Sequence, residues 1–154
     1  MTESKAASLP QVLFLCTGNS CRSQMAEGWA RHLKSDALVA FSAGSEKHGL
    51  DARAVRVMAE VGVDISTQKS KLIQELPDVQ FDYVVTLCDS ARQACPFFPG
   101  GRKIVHRDFD DPPSRCTEHM NEEDCMNQYR RVRDEIKAFV EGLPDALDQM
   151  DGVE

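Results

Sequence analysis

The sequence predicts a single α/β domain built on a doubly wound parallel β-sheet. Short apolar runs typical of buried strands alternate along the chain with segments of helical hydrophobic spacing, which is the pattern of βαβ units. The 154 residues are about the length of one domain, and a hydrophobic content of 42% is enough for a packed core. No repeat or linker is visible, so we expect one domain over residues 11–142, between a flexible tail (1–10) and an acidic tail (143–154).

The first strand, the first helix and the second strand are predicted close to the N-terminus. The run QVLFLC (11–16) is short and apolar throughout, as in a strand buried on both faces. After the turn TGNSC, residues 22–34 place large apolar side chains at the i, i+4 and i+8 spacing of a helix. The run ALVAFSAG (37–44) predicts the second strand.

The middle of the chain continues this alternation of strands and helices. Asp51 can cap a helix that Gly62 would end, and a weaker helix is expected over 69–76. The run FDYVVTLC (81–88) is rich in β-branched and aromatic residues and gives the strongest strand prediction, while KIVHRDF (103–109) predicts a fourth strand.

The last predicted helix is amphipathic. Apolar residues recur at i, i+3, i+7 and i+10 from Tyr129 to Phe139, and the pattern stops at Gly142. The acidic residues that follow are expected to be either helical or frayed.

Charge and hydropathy narrow the classes of function. Lys and Arg number 18 against 25 Asp and Glu, which gives a formal net charge of −7. Because nucleic-acid binders neutralise phosphates with Lys and Arg, a general basic patch is not expected. No apolar run approaches the roughly 18 residues of a membrane helix, and the N-terminus lacks a signal-peptide core, so we expect a cytoplasmic protein.

The six cysteines are the unusual feature of the composition. A static disulfide framework is typical of small secreted domains, whereas cysteines in a chain of this type are more often metal ligands, catalytic groups or core residues. The six are Cys16, Cys21, Cys88, Cys95, Cys116 and Cys125.

The motif CTGNSCRS (16–23) predicts an anion site at the end of the first strand. A short loop that leads from a strand into a helix N-terminus directs backbone N–H groups towards an anion, and Gly18 and Asn19 tolerate the tight turn that this requires. The forked guanidinium of Arg22 can hold an oxyanion, and with the helix dipole it favours a nucleophilic thiolate at Cys16. The residues expected to bind the oxyanion are Thr17, Gly18, Asn19, Ser20, Cys21, Arg22 and Ser23.

Nucleophilic catalysis explains this motif better than zinc binding does. No second CxxC or CxxH pair completes four zinc ligands around Cys16 and Cys21. Displacement at a tetrahedral oxyanion needs a proton for the leaving oxygen, and Asp111 in FDDPP is the candidate acid because it follows the fourth predicted strand and so reaches the same edge of the sheet. Asp110 is the competing candidate, and a capped turn before two prolines is the alternative for both.

Four segments of the chain together resemble a known superfamily. CTGNSCRS (16–23), SAG after the second strand, VVTLC and the DP dipeptide resemble the low-molecular-weight tyrosine phosphatases and, within them, the thioredoxin-coupled arsenate reductases. The resemblance covers most of residues 11–142. It implies a four-stranded parallel sheet of order 2-1-3-4 flanked by helices, with Cys16 as the nucleophile, Arg22 binding the oxyanion and Asp111 as the general acid.

Cys88 and Cys95 favour redox chemistry at this site. Neighbouring strands lie about 4.8 Å apart, so in the implied sheet Cys88 and Cys16 both lie near the crevice at the carboxyl edge. A helix leading from Cys88 to Cys95 would rise about 10.5 Å, beyond the roughly 7 Å Cα limit for a disulfide. A Cys88–Cys95 bond would therefore require that helix to unwind, and two buried core cysteines are the alternative.

The resemblance implies a disulfide relay that needs no metal and no bound organic cofactor. Cys16 attacks arsenate, Asp111 protonates the departing oxygen, and Cys88 then attacks Cys16 as arsenite leaves. Cys95 moves the oxidised pair to Cys88–Cys95, which thioredoxin reduces by thiol–disulfide exchange. Phosphate and sulfate are the expected competing anions, and a glutaredoxin is the alternative reductant.

An aryl phosphatase that uses Cys16, Arg22 and Asp111 is the alternative activity. Phosphatases of the superfamily usually carry a Tyr pair just after the DP dipeptide, whereas Pro113 and Ser114 follow here, and aromatic residues make up only 6% of the chain. This composition favours a small inorganic oxyanion over an aryl substrate. A non-catalytic oxyanion-binding or redox-sensing module is a third possibility.

Some residues near the motif have weaker claims to a role. The resemblance implies that Ser42 and Glu27 brace the loop through Asn19. Some family members complete a monovalent-cation site nearby with a carboxylate, where this chain has Lys69 and Lys71, so bound potassium is in doubt.

The remaining cysteines and histidines have no clear part in the relay. Cys21 is expected to pack within the loop, or to form a protective disulfide with Cys16. Cys116 and Cys125 lie in an apparent insertion, and we expect incidental cysteines in a solvated loop, with an accessory redox pair as the alternative. With His119 they make three metal ligands, which is too few for zinc. His48 is expected to be solvated, and His32 to lie on a helix face.

Overall fold

The structure is a computed structural model, and it describes residues 9–77, 80–87 and 101–150, with Gly101 and Arg102 described by their backbone alone. The strands formed by these residues are β1 (Gln11–Cys16), β2 (Val39–Gly44), β3 (Phe81–Thr86) and β4 (Gly101–His106). The α-helices are α1 (Arg22–Leu33), α2 (Ala52–Glu60), α3 (Glu122–Glu141) and α4 (Asp145–Gln149), and two 3₁₀ helices span Ile73–Glu75 and Pro112–Arg115.

The four strands form one parallel sheet in the order β2-β1-β3-β4. In the pairing of β1 with β2, Cys16 lies opposite Gly44, and in the pairing of β1 with β3, Leu15 lies opposite Thr86. The carboxyl ends of these three strands therefore meet beside Cys16. The predicted fold class and strand order are confirmed.

Apolar side chains cover both faces of the sheet. Because side chains alternate along a strand, Val12 and Phe14 point to one face while Leu13 and Leu15 point to the other. Side chains from α1, α2, α3 and α4 pack on the first face and form the main core. The second face is packed against Ile73 of the first 3₁₀ helix, among others.

The helix predicted over 69–76 is wrong except for the 3₁₀ turn Ile73–Glu75. The backbone N–H of Lys71 donates to Asn19 Oδ1, and the Lys71 carbonyl accepts from the backbone N–H of Gly44. These backbone groups join the loop after β1 to the end of β2, so they are not available for helical hydrogen bonds. The segment is an extended brace for the loop.

The ends of other elements also differ from the prediction. β2 begins at Val39 rather than at residue 37, and β4 spans Gly101–His106 rather than 103–109. The acidic C-terminal segment, for which a helical and a frayed form were both expected, is helical over Asp145–Gln149, and Leu147 there is fully buried in the main core. None of the described helices combines the length and apolar character that crossing a membrane requires.

Candidate active site

The loop 17–21 joins the end of β1 to the start of α1. Asn19 in this loop has φ 48°, the left-handed conformation in which a tight turn can be made. The end of β2 comes very close to the loop: a Cβ at Gly44 would lie 2.6 Å from the Thr17 carbonyl oxygen, which only glycine avoids. The loop is thus fixed against the neighbouring strand.

The side chain of Asn19 is the centre of a buried hydrogen-bond network under the loop. Its Nδ2 donates to Ser23 Oγ at 2.8 Å and to Ser42 Oγ at 3.0 Å. Ser42 Oγ in turn donates to Glu27 Oε1 at 2.5 Å. Asn19, Ser23 and Ser42 are all fully buried, so the network is shielded from competing water. The bracing contacts that the resemblance implied for Ser42 and Glu27 are present.

Two glutamines that the sequence reasoning missed complete this network. The fully buried Gln24 donates through Nε2 to Asn19 Oδ1 at 2.9 Å and to the carbonyl oxygens of Asn19 and Lys69 at 3.0 and 2.9 Å. Gln68 Nε2 donates to Gln24 Oε1 at 2.8 Å. The sequence signal that could have indicated this role is the position of Gln24 in the first turn of a helix whose apolar spacing predicts packing against the core.

The buried Glu27 carboxylate is balanced by two side-chain cations. Arg31 Nη2 lies 2.7 Å from Glu27 Oε2, and Lys71 Nζ lies 3.8 Å from Oε1. Burial lowers the pKa of Lys71, while the Glu27 charge opposes that shift. Cationic side chains therefore lie beside Glu27, and one of them, Lys71, comes from the segment where the resemblance implied a cation-site carboxylate in some family members.

A cavity of about 460 Å³ opens over the loop at the carboxyl edge of the sheet. Cys16, which is 4% exposed, contributes to its wall, and so do Arg22 and Asp111. Arg22 Nη2 lies 3.5 Å from Asp111 Oδ1, and Arg22 Nη1 donates to the Phe109 carbonyl oxygen at 3.0 Å. The full set of described lining residues is Cys16, Thr17, Gly18, Ser20, Cys21, Arg22, His48, Asp108, Asp111 and Pro113.

The two candidate acids, Asp110 and Asp111, lie in different environments. Asp110 is bound by Arg115 at 3.0 Å and by Arg131 at 3.1 Å, and it does not line the cavity. The hydrogen bond from Arg115, followed by that from Arg131, holds the pKa of Asp110 below its usual value. Asp111 is the member of the pair that faces the cavity and Arg22.

Cys21 also lines the cavity, but its surroundings favour the neutral thiol. It is 3% exposed, and burial raises its pKa well above the usual value for a thiol. The negative charges of Asp51 and Asp111 raise this pKa further, against a smaller opposing effect of Arg22. These surroundings favour the protonated form of Cys21.

His48 and Asp108 line the cavity as well, which the sequence reasoning did not predict. The His48 ring covers Gly18 so closely that a Cβ at Gly18 would lie 2.3 Å from His48 Nδ1. His48 Nε2 lies 2.6 Å from Glu46 Oε1. His32, by contrast, lies on the surface of α1 with its ring edge towards Trp29, as expected for a helix-face residue.

Cys116 and Cys125 form a disulfide, so the expectation of incidental thiols in a solvated loop is wrong. The reason is that Cys125 is only 4% exposed, in the first turn of α3, and the half-buried Cys116 packs against the same core cluster. The two cysteines do form a pair, as the alternative of an accessory redox pair requires. Within the described ranges, no group of three or more potential ligands is placed to hold a metal ion.

Cys88 and Cys95 lie outside the described residues. The backbone N–H of Leu87, the last described residue after β3, donates to the Leu15 carbonyl at 2.9 Å. The described chain after β3 therefore ends next to the strand that carries Cys16.

Comparison with known families identifies the fold. The family model described as low molecular weight phosphotyrosine protein phosphatase matches residues 11–151, which is nearly the whole chain. The chain belongs to this phosphatase family. The resemblance inferred from the loop motif is thereby confirmed.

Several members of the low molecular weight phosphatase family that resemble this chain are arsenate reductases. The arsenate reductase of Shouchella clausii is 50% identical over 129 residues, which are 84% of this chain and 91% of the relative. A solved arsenate reductase in its phosphate-binding state has a TM-score of 0.68 at 29% identity, covering 93% of this chain and 100% of that one. A thioredoxin-dependent arsenate reductase of Corynebacterium glutamicum has a TM-score of 0.63 at 25% identity, covering 96% and 66%.

Proposed function

We propose that this chain is an arsenate reductase that converts arsenate to arsenite through a thiol–arsenate adduct on Cys16. The observation that carries the proposal is the convergence of Cys16, Arg22 and Asp111 on one cavity at the carboxyl edge of the sheet. The 50% identity to an arsenate reductase of the same family supports arsenate as the substrate.

The first step is a displacement at arsenic. The Cys16 thiolate attacks the arsenic atom, an S–As bond forms, and the As–O bond to one arsenate hydroxyl breaks as that hydroxyl takes a proton from Asp111 and leaves as water. The Arg22 guanidinium and the backbone N–H groups of the loop 17–21 hold the remaining oxygens. The acid is Asp111 rather than Asp110, because Arg115 and Arg131 keep the latter outside the cavity as a carboxylate.

We assign the nucleophile to Cys16 rather than Cys21 because the surroundings of Cys21 favour its neutral thiol. Burial and the charges of Asp51 and Asp111 keep the pKa of Cys21 high, so it stays protonated at neutral pH. Cys16 ends β1 at the start of the anion loop, where a helix N-terminus and Arg22 favour a thiolate.

The second step transfers two electrons to arsenic. The Cys88 thiolate attacks the sulfur of Cys16, an S–S bond forms, and the electron pair of the S–As bond stays on arsenic, which leaves as arsenite. Cys95 then attacks Cys88, so that Cys16 departs as a thiolate and the oxidised pair becomes Cys88–Cys95. A thioredoxin dithiol reduces that disulfide, and no metal or organic cofactor is required.

The wall of the cavity favours an inorganic oxyanion over an aryl phosphate. Among its described residues there is no Phe, Tyr or Trp that could stack on a phenyl ring. Phosphate and sulfate have the same tetrahedral shape as arsenate, so we propose them as competing anions, and one similar arsenate reductase is known in a phosphate-binding state. A relay regenerated by thioredoxin needs a reducing compartment, which supports the cytoplasm as its location.

The proposal is tested by measuring arsenite release with thioredoxin, thioredoxin reductase and NADPH. The wild type should turn over repeatedly, and Cys16→Ser, Cys88→Ser and Cys95→Ser should each lower the steady-state rate at least about 10³-fold. Normal turnover of Cys95→Ser with thioredoxin would contradict the relay. Repeated hydrolysis of an aryl phosphate without reductant, faster than arsenate reduction, would favour a phosphatase instead.

A further inference from the structure

The Cys116–Cys125 disulfide joins the segment that carries Asp111 to the helix α3. Cys116 ends the 3₁₀ helix Pro112–Arg115, which begins directly after Asp111. Cys125 lies in the first turn of α3, nine positions further along the chain. The residues between the two cysteines include the exposed turn 117–119, so the disulfide connects the half-buried Cys116 to the buried Cys125 across a solvated loop.

The segment from Asp111 to Cys116 is bonded internally, so a restraint at one end acts on the other. The Asp111 carbonyl accepts from the backbone N–H of Ser114 at 3.1 Å and from its Oγ at 2.8 Å. The backbone N–H of Cys116 donates to the Pro113 carbonyl at 3.2 Å, and Pro113 itself lines the cavity. A displacement of Cys116 would therefore shift both Pro113 and the backbone of Asp111.

The other end of the disulfide is attached to the base of the anion loop. Tyr129 lies one turn after Cys125 and is buried, and its hydroxyl donates a hydrogen bond to Asp51 Oδ2 at 2.8 Å. The backbone N–H of Asp51 donates to the Ser20 carbonyl of the loop at 3.1 Å. The disulfide thus links the segment of Asp111 to the same packed unit that holds the anion loop.

The other attachments of the Asp111 segment within the described residues are non-covalent. Arg131 contacts Asp110 at 3.1 Å, with both side chains about 40% exposed, and exposed ion pairs of this type contribute little. Arg22 contacts Asp111 itself, and Pro112 is buried. The covalent bond is the attachment that solvent and salt do not weaken.

We propose that the Cys116–Cys125 disulfide is a positioning element that holds Asp111 over the Cys16 loop for protonation of the departing oxygen, and that it takes no part in the electron relay. This inference rests on the proposed function. Cys125 is 4% exposed, so its sulfur is shielded from attack by the thiolates that exchange with the relay cysteines, whereas Cys116 is half-buried. The two cysteines act through Asp111 and do not touch the anion.

The test is a mutant cycle on the full chain that compares Cys116→Ala/Cys125→Ala, Asp111→Asn and the combined variant. We expect the paired alanine variant to slow first-turnover arsenite formation about 10-fold, with the affinity for inorganic phosphate within about twofold of wild type. In the Asp111→Asn background the same pair of substitutions should cost less than about twofold, because the group they position is already lost. Glu122→Ala, which removes exposed ion pairs at the start of α3, is the matched control and should leave the rate unchanged.

Three results would overturn the proposal. They are an undiminished rate in the paired alanine variant, an equal loss in the Asp111→Asn background, and a parallel fall in phosphate affinity, which would indicate general damage to the site. Thiol mapping adds a check: after treatment with thioredoxin alone the pair must remain oxidised, and its reduction together with the relay cysteines would also overturn the inference.

The same cycle separates this inference from the proposed function. A wild-type protein that releases no arsenite would refute arsenate reduction, and the cycle would then be read from hydrolysis of phenyl phosphate. Phenolate is a poorer leaving group than p-nitrophenolate, so hydrolysis of phenyl phosphate depends more on protonation by the acid. Loss of Asp111 positioning should therefore lower the rate on phenyl phosphate more than the rate on p-nitrophenyl phosphate. Equal losses on both esters, or no activity on either, would overturn the positioning role.

Discussion

The Asp111 carboxylate lies 3.5 Å from the Arg22 guanidinium, although Asp111 follows the last strand and Arg22 begins the first helix. Arg22 is largely buried in this pair and Asp111 is about 41% exposed, so the contact lies at the mouth of the cavity. A group that binds the oxyanion and a group that can protonate it are thus held side by side. Several expected outcomes follow from this arrangement.

Replacing Asp111 by Asn should remove the proton donor while leaving the anion site intact. First-turnover arsenite formation should fall between about 10²- and 10⁴-fold, the usual contribution of a general acid. Phosphate should bind at least as tightly as in the wild type, because asparagine places no negative charge beside the anion. Rapid-quench kinetics and phosphate titration measure the two quantities.

Asp110→Asn is the control for that substitution. Arg115 and Arg131 bind Asp110 away from the cavity, so the Asp110→Asn variant should form arsenite at a first-turnover rate within about threefold of wild type. If Asp110→Asn were the slower of the two variants, the assignment of the acid would be wrong.

Replacing Gln24 by Leu should weaken both the fold and anion binding. Gln24 donates to three acceptors on Asn19 and Lys69 from a fully buried position, and each lost intramolecular hydrogen bond costs about 0.5–1.5 kcal/mol. Asn19 Oδ1 keeps its bond from the Lys71 N–H in the variant. Loss of the Gln24 bonds should also relax the left-handed turn at Asn19 and raise the KM for arsenate more than it lowers kcat. Urea denaturation and steady-state kinetics measure the two effects.

Gln74→Leu is the matched control for the Gln24 variant, since Gln74 is exposed on the first 3₁₀ helix. It should change neither stability nor KM appreciably. Equal effects of the two substitutions would contradict the positioning role of Gln24.

Stability should fall at alkaline pH because of Cys21 and Tyr129. Burial is the main cause that raises the pKa of both groups above their ordinary values. In the unfolded chain the thiol loses its proton near pH 8.5 and the phenol near pH 10, whereas the folded chain retains both protons. The unfolded state then binds fewer protons, so the free energy of unfolding is highest below about pH 8.5 and decreases as the pH rises.

Cys21→Ala and Tyr129→Phe separate the two contributions. The first variant should flatten the decrease between about pH 8.5 and 10, and the second should flatten it above about pH 10. Urea denaturation curves from pH 7 to pH 11 give the slopes. A wild-type stability that rose across this interval would contradict the sign of both shifts.

Activity should not depend on potassium. Arg31 and Lys71 already balance the buried Glu27 carboxylate beneath the anion loop. At constant ionic strength, exchange of choline chloride for potassium chloride should therefore change kcat/KM by less than about twofold. A clear gain with potassium that sodium does not reproduce would contradict this interpretation of the Glu27 surroundings.

The sequence predicts the strands, the main helices and the anion loop well because their patterns are local. Each of these patterns is recognisable within about a dozen residues, as in the apolar run 11–16, the motif CTGNSCRS and the helical spacing after Arg22. The position of Asp111 at the cavity could be inferred as well, because the carboxyl ends of parallel strands meet at one edge.

The failures arise where distant segments decide the local structure. The segment 69–76, which was expected to be helical, is an extended brace. The reason is that the backbone N–H of Lys71 donates to Asn19 and the Lys71 carbonyl accepts from Gly44. Helical propensity at the residues themselves carries no information about those partners. The roles of Gln24 and Gln68 could not be predicted for the same reason, because each has partners in a distant segment of the chain.

The sequence alone could not decide whether Cys116 and Cys125 form a disulfide. Their spacing of nine residues is compatible with a loop of independent thiols or with a bridge, and the choice depends on how α3 packs. The packing that decides it involves Cys125 and Tyr129 on one face of that helix, together with the end of the second 3₁₀ helix.

The central claim is that Cys16, Cys88 and Cys95 form a directional electron path from arsenate to thioredoxin. Its most direct test is disulfide mapping by mass spectrometry after one turnover of the thioredoxin-reduced protein with arsenate, in the absence of further reductant. We expect one equivalent of arsenite, a new Cys88–Cys95 disulfide and Cys16 returned to the thiol. Arsenite release with Cys88 and Cys95 both still reduced, or oxidation confined to Cys16 and Cys21, would contradict the relay.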